Sequence, residues 1–178
     1  MSITDGIKRA ILFDLDETLV LSAALESLRR ARNWTKVYEG LGMTSLPPGT
    51  VNALDTLGKS NYVLGVVTKS PRPYAERLIR HHALGIPVLV AYHDVRMRKP
   101  HPEALIRACE VIGISTDRCI YVGDHADDIS AARAAGCKPL GVNWGSDAST
   151  LDINPVCISW EEILTEIGRI SSGGLAHE

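Results

Sequence analysis

The chain lacks the features that mark several large classes of protein. Its 178 residues include one Phe, five Tyr and three Trp, so aromatic residues make up only 5% of the sequence. Lys and Arg number 19 against 21 Asp and Glu, without the basic stripe that nucleic acid binding needs. No apolar run approaches the ~20 residues of a membrane helix, and the N-terminus has no secretory pattern. We therefore expect no bulk nucleic acid partner, no membrane partner and a cytoplasmic location.

Cysteine is also scarce. The chain has four, and they lie far apart in the sequence, with neither paired metal spacing nor the density of a disulfide scaffold. We interpret Cys109, Cys119, Cys137 and Cys157 as reduced thiols packed in a core.

Apolar residues are plentiful, at 45% of the chain, which is enough for one self-supporting domain over residues 1–178. Short runs that are apolar throughout recur along it, as is typical of strands in a parallel sheet covered on both faces. These predicted strands are 11–13, 62–67, 88–92, 120–122 and 140–142.

Helices are predicted between and after these strands. An apolar stripe between Pro102 and Gly113 indicates a helix over 102–112, and a second helix over 128–135 ends at Gly136. A capping box of Ser159 and Glu162 opens a last helix to about 170. Residues 21–60 hold helical patterns without a clear strand. The expected fold is α/β, a three-layer Rossmann-like parallel sheet with a small helical insert, 21–60, after strand 1.

Acidic, hydroxyl and lysine side chains directly follow the predicted strands. Ligands of open parallel sheets bind at the carboxyl ends of the strands, so these residues are candidates for one site. They are Asp14 and Asp16 after the first strand, Thr68 and Lys69 after the second, and Asp124 and Asp128 after the fourth, with Lys99 shortly before the helix over 102–112.

Three clustered carboxylates repel one another unless a hard cation lies between them, and Mg²⁺ prefers oxygen ligands together with substrate phosphate. The carboxylate of Asp14 could then attack phosphorus, while Thr68 and Lys99 stabilise the phosphoryl oxygens. Asp16 is the candidate that protonates the leaving oxygen and later deprotonates water. Lys69 and Arg72 could each bind a substrate anion or be solvated.

With these residues in place, the sequence resembles the haloacid dehalogenase superfamily. Its four motifs occur in order as DLDET, VVTKS, Lys99 in RKPHP, and GDHADD, within residues 11–144. The resemblance implies that Asp14 is nucleophile and metal ligand, and that Asp16 is acid/base with its backbone carbonyl on the metal. It makes Asp124 a further ligand and Asp128 a support of the metal through water.

The resemblance also implies that Thr68 binds phosphate, that Lys99 steadies nucleophile and phosphate, and that the DLDET strand is central in the sheet. An Asp at position 16 favours a phosphatase over a dehalogenase, whose leaving group needs no proton. Lys69 and His125 depart from the Asn and Ser of many relatives. The short insert suggests a reduced cap, with either an open site or one completed by a neighbouring subunit, so an oligomer is possible.

We therefore expect a Mg²⁺-dependent phosphomonoester hydrolase that acts on a small phosphorylated metabolite through a phospho-aspartyl intermediate. The alternatives are a phosphomutase with the same intermediate and a non-catalytic binding module on this fold. Asp127 is interpreted as a helix cap and His125 as a polar loop residue. The arginines of the insert, Arg29, Arg30 and Arg32, either meet an anionic substrate or suit the helix dipole.

Overall fold

The computed structural model describes residues 9–145 and 151–173, and their centre is a six-stranded parallel sheet. Its strand order is β3-β2-β1-β4-β5-β6. The strands are β1 (Arg9–Phe13), β2 (Tyr62–Val67), β3 (Val88–Val90), β4 (Cys119–Gly123), β5 (Lys138–Val142) and β6 (Val156–Cys157). The helices are α1 (Glu26–Arg30), α2 (Trp34–Glu39), α3 (Thr50–Lys59), α4 (Arg72–His81), α5 (Glu103–Ile112), α6 (Ala126–Ala135) and α7 (Trp160–Gly173).

The sheet lies between two helical layers. Residues 10–13 of β1 are completely buried, and they alternate between two apolar clusters. Ile11 and Phe13 belong to the cluster with α3, α4 and α7, whereas Leu12 belongs to the cluster with α5 and α6. A strand that is covered on both faces must be apolar throughout, as RAILF nearly is. The predictions of a three-layer α/β fold and of a central DLDET strand are confirmed.

Several element boundaries differ from those predicted. β3 ends at Val90 because Asp94 accepts a hydrogen bond from the backbone N–H of Ala91 at 2.7 Å and turns the chain. β6 was not predicted, since two residues carry no periodicity. α6 begins at Ala126, two residues earlier than predicted. Among the described residues, no helix is long and apolar enough to cross a membrane.

The predicted insert 21–60 consists of two parts that pack differently. Leu21 and Ser45 exchange backbone hydrogen bonds of 2.8 and 3.1 Å, which close a loop that carries α1 and α2. This closed segment contacts α4, where the guanidinium of Arg77 lies 4.3 Å from the ring centroid of Tyr38. The segment also contributes Leu25, Val37 and Leu41 to the main core. In the same core, α3 buries Ala53, Leu54 and Leu57 beside β2 and α7. α3 is thus the crossover helix between β1 and β2, and the segment before it is a separate closed loop that carries α1 and α2.

Candidate active site

Three neighbouring strands end at one place and present polar side chains there. The backbone N–H of Asp14 bonds to the carbonyl of Val122 at 2.9 Å, and that of Thr68 bonds to the carbonyl of Val90 at 2.9 Å. The ladder therefore continues one residue past each strand, which fixes where both side chains begin. Asp124 follows β4, which pairs directly with β1. The edge predicted from sequence brings these residues together because β2, β1 and β4 are adjacent.

A buried lysine links the acidic residues. The side chain of Lys99 is 1% exposed, and its Nζ donates to Asp14 at 2.8 Å and to Asp128 at 2.7 Å. It also donates to the hydroxyl of Tyr121 at 2.7 Å and to the carbonyl of Val67 at 3.1 Å. Burial alone would lower the pKa of Lys99, but the two carboxylates outweigh burial and raise it. Lys99 is therefore a permanent positive charge beside Asp14.

The carboxylates of Asp14, Asp124 and Asp128 form the acidic cluster, with one oxygen of each within 4.8 Å of the others. Burial, opposed by Lys99 and assisted by Asp128 and Asp124, raises the pKa of Asp14 to about 7. Burial also raises the pKa of Asp124, against the hydrogen bond from the Thr18 hydroxyl at 2.7 Å. Three ionised carboxylates and one lysine leave two negative charges uncompensated. The donor set therefore fits a hard divalent cation, and the identity of that cation as Mg²⁺ stays a prediction.

Asp128 reaches this cluster from the first turn of α6. His125 is the N-cap, and its side chain accepts from the Asp127 N–H at 3.2 Å, while Asp128 accepts from the His125 N–H at 3.1 Å. A Cβ on Gly123 would lie 2.5 Å from the Cβ of Asp128, so only glycine fits there. The cap is thus His125 rather than Asp127, which lies inside the first turn and pairs with Lys69 at 2.8 Å.

The carboxylate of Asp16 lies outside the acidic cluster. Its Oδ1 accepts from the hydroxyl of Ser22 at 2.6 Å and from that of Tyr74 at 2.7 Å, and it pairs with Arg29 at 2.6 Å. Its Oδ2 accepts from Ser70 at 2.7 Å. The insert and α4 therefore hold this carboxylate jointly. The metal contact expected of Asp16 concerned its backbone carbonyl, and it stays a prediction.

The two candidate substrate-binding cations already have partners. Lys69 pairs with Asp127, and Arg72 pairs with Asp94 and donates to the carbonyl of Leu89 at 3.0 Å. These contacts turn Arg72 toward the end of β3. Lys69 also lines a cleft of about 620 Å³ between the insert and the loops after β2 and β3. The same cleft is lined by Arg29 and Ser70, both of which hold Asp16.

Sequence reasoning did not identify Tyr121, Thr18, Ser22, Ser70 or Tyr74 as site residues. Tyr121 could have been found as the only polar-tipped side chain in an otherwise apolar strand, CIYVG, that precedes the GDHADD motif. The other four contribute hydroxyls that meet Asp16 or Asp124 only after the chain folds. Nothing in their spacing distinguishes them from ordinary loop and helix residues.

Comparison with known proteins identifies the same family as the sequence motifs. A family model for haloacid dehalogenase-like hydrolases matches residues 25–142. A phosphoglycolate phosphatase of Salmonella choleraesuis is 30% identical over 131 residues, which are 70% of this chain and 52% of that protein. The Escherichia coli K12 phosphoglycolate phosphatase is 33% identical over 125 residues, 67% of this chain and 49% of that one. The chain thus spans about half the length of these relatives.

A crystal structure from Haemophilus somnus, described as a predicted phosphoglycolate phosphatase, superposes with a TM-score of 0.77 at 21% identity. The match covers 92% of this chain and 99% of that one, and it shows a shared fold. Asp14 and Asp16 precede the range that the family model matches, so their assignment rests on the motif and on the geometry described above. The sequence motifs, the fold and the matched range together establish that the chain belongs to the haloacid dehalogenase-like hydrolase family.

Proposed function

We propose that the protein is a Mg²⁺-dependent phosphomonoester hydrolase that works through a phosphorylated Asp14. The observation that carries this proposal is the position of Lys99, which is buried and holds Asp14 at 2.8 Å beside two further carboxylates. A cation fixed against a carboxylate in a site that is otherwise acidic suits the attack of that carboxylate on an anionic phosphorus. The names of the relatives, which are phosphatases, support the same reaction.

Asp14 is the nucleophile in this proposal. Its Oδ1 is held by Lys99, so the other oxygen, Oδ2, is the atom that forms the bond to phosphorus. Lys99 keeps its proton throughout, and the family resemblance implies that it also contacts the transferring phosphoryl group. The Thr68 side chain, at the end of β2, offers a hydroxyl to a second phosphoryl oxygen, and the backbone N–H of Ser70 donates to that hydroxyl at 3.0 Å.

The acidic cluster of Asp14, Asp124 and Asp128 would hold the metal. When bound, Mg²⁺ supplies charge that offsets the repulsion between these carboxylates and the phosphate. Asp128 also pairs with Lys99, which ties the position of the cluster to the position of the catalytic lysine. The backbone carbonyl of Asp16 is the further ligand that we infer from the family resemblance.

Asp16 is the proposed proton carrier. It gives a proton to the oxygen that leaves phosphorus, and it later takes a proton from the water that hydrolyses the acyl phosphate on Asp14. Ser22, Ser70 and Tyr74 hold it by hydrogen bonds, and Arg29 holds it by an ion pair. Two of these partners, Arg29 and Ser70, also line the cleft, which supports a position of Asp16 next to a substrate bound there.

The cleft also bears on the substrate class, which we propose is a small phosphorylated metabolite with a second anionic group. Arg30, Arg32, Lys69 and His93 line it, with Glu26 as the acidic residue among the lining side chains. Such a lining favours a negatively charged remainder on the substrate. Lys69 would contribute once its exposed contact with Asp127 is exchanged for the ligand. For Arg72, binding of substrate would require release of Asp94.

The test is release of inorganic phosphate from a panel that includes 2-phosphoglycolate, sugar phosphates and nucleotides, with Mg²⁺ and with chelator. We expect Mg²⁺-dependent release, fastest for a substrate with a second anion. Asp14→Asn should reduce release to background, whereas the matched control Asp55→Asn, on the exposed face of α3, should keep full activity. Asp16→Asn should lower kcat by about 10²–10⁴-fold, the usual contribution of a proton carrier.

The same panel separates the alternatives. Transfer of the phosphoryl group to a sugar without its release would indicate the phosphomutase, and binding without either would indicate a non-catalytic module. Activity that survives Asp14→Asn would refute the covalent mechanism. The cytoplasmic location and the possible oligomer stay predictions.

A further inference from the structure

Three of the four cysteines, scattered in sequence, meet in the folded chain. The Sγ atoms of Cys109, Cys119 and Cys137 all lie within 4.8 Å of one another, and the three residues are buried. We refer to them as the thiol cluster. Cys157 is buried too, but it belongs to the apolar cluster on the other face of the sheet. All four cysteines are free and buried, as predicted, but their spacing in the sequence did not reveal that three of them meet, because it does not report contacts between separate elements.

The fold positions each thiol through a different element. Cys109 is in the last turn of α5, where its carbonyl accepts from the N–H of Gly113 at 2.8 Å. Cys119 is the first residue of β4, paired with Ala10 of β1. Cys137 follows the left-handed Gly136 that ends α6, and its N–H donates to the carbonyl of Ala132 at 2.9 Å. The cluster thus lies at the amino-terminal edge of the sheet, at the opposite end of β4 from Asp124.

The separations between the three sulfurs are close to those required for coordination of one shared metal ion. A Zn–S bond of about 2.3 Å implies sulfur–sulfur separations of roughly 3.8–4.0 Å, so a contraction of less than about 1 Å would bring all three sulfurs into coordination. Among the described residues, no His, Asp or Glu joins the cluster at this spacing. The ligand set is therefore three thiolates, which select soft cations over Mg²⁺.

The surroundings keep water away from the thiols. Ala108, Ala132 and Ala135 belong to the same apolar cluster, and the partly buried Ile112 and Ile114 pack against it. The alanine side chains are small and apolar, so they offer the sulfurs no competing polar group. A cation bound here would be shielded from solvent and would join α5, β4 and the turn before β5.

We propose that the thiol cluster is a binding site for one soft, thiophilic cation, coordinated by Cys109, Cys119 and Cys137. Binding converts three thiols to thiolates and releases three protons, with no change in oxidation state. Three sulfurs complete the coordination of Cu⁺, whereas Zn²⁺ is four-coordinate and would add a water as its fourth ligand. The site is separate from Asp14 and does not depend on the proposed phosphatase activity.

The test titrates the full, reduced chain with Cu⁺ and, separately, with Cd²⁺ as a spectroscopic substitute for Zn²⁺, both in excess Mg²⁺ to occupy the carboxylates. We expect one equivalent of either ion to produce an ultraviolet thiolate-to-metal band and to raise Tm. Cys119→Ser should lose the band and weaken binding by more than about 10–100-fold, the range that loss of an outer-shell partner alone produces. The control Cys157→Ser should bind as the wild type does.

If serine variants fail to fold, the wild-type chain supplies the test through alkylation in mild denaturant, with each cysteine followed by mass spectrometry. A bound ion should protect Cys109, Cys119 and Cys137 but leave the reactivity of Cys157 unchanged. A missing band, equal protection of all four thiols, or formation of a disulfide within the cluster instead of a metal complex would overturn the proposal. A band with Cu⁺ but not with Cd²⁺ would still support the proposal, as a three-coordinate site, and bands with both ions would support it as a site that also admits one water.

Discussion

Replacement of Lys99 by Met tests whether the candidate site is held together by its buried cation. The ammonium group compensates Asp14 and Asp128 at 2.8 and 2.7 Å, and the side chains of Lys99 and Asp128 are each 1% exposed. Met fills a similar volume but removes the charge, which leaves the buried carboxylate of Asp128 and the partly buried carboxylate of Asp14 close together. Breaking a buried pair in this way costs about 3–5 kcal/mol of unfolding free energy. When a chelator has removed the metal that could compensate these carboxylates, we expect Lys99→Met to lose that amount of unfolding free energy.

The loss should depend on pH, because a proton can partly replace the missing cation. Burial already raises the pKa of Asp14 to about 7, against the opposing effect of Lys99, so removal of Lys99 raises it further. In the unfolded chain this carboxyl ionises near its ordinary pKa of 3.8. A pKa that is higher in the folded state means that stability is retained at low pH and lost as the pH rises through the folded value. The deficit of the variant should therefore be larger at about pH 8 than at about pH 5.

The assay is urea unfolding followed by circular dichroism, in chelator and again with Mg²⁺. The control is Lys59→Met, which removes an exposed lysine paired with Asp55 on α3 and should cost less than about 0.5 kcal/mol. Mg²⁺ should recover part of the loss in Lys99→Met, because an ion that binds only the folded chain stabilises it. A loss equal to that of Lys59→Met, or one that is greater at low pH, would refute this account of the site.

Three further outcomes follow from the geometry. Arg29→Met, which frees Asp16 from its ion pair, should lower kcat by about 10–100-fold with a small change in KM. The control Arg107→Met, whose exposed partner is Glu110 on α5, should leave kcat unchanged; steady-state kinetics on the best substrate measures both. Gly123→Ala should lose about 1–3 kcal/mol in urea unfolding, because the new Cβ would lie 2.5 Å from the side chain of Asp128. Removal of metal by chelator should abolish phosphate release in the wild type, and excess Mg²⁺ should restore it.

Apolar runs in the sequence were sufficient to predict the strands of the sheet and the edge at which the site lies. Runs that are apolar throughout can be buried on both faces only in a covered parallel sheet, and residues that end adjacent parallel strands must meet at one edge. For that reason Asp14, Thr68 and Asp124 were predicted together and are found together. The bounds of β3 and α6 were less accurate, because the Asp94 turn and the His125 cap depend on side-chain hydrogen bonds rather than on apolar periodicity.

The amino-acid sequence alone thus determined the fold class and the residues of the four motifs, since periodicity and motif order are local properties of the chain. The central position of β1 was expected only from the family resemblance. Only the tertiary structure decided which side chains contact the residues of the site. It showed that Tyr121 joins Lys99 and that Arg29 of the insert holds Asp16. It also showed that three cysteines distant in sequence meet at the amino-terminal edge of the sheet. These contacts join residues of separate elements, and their distances arise from packing that no spacing along the chain encodes.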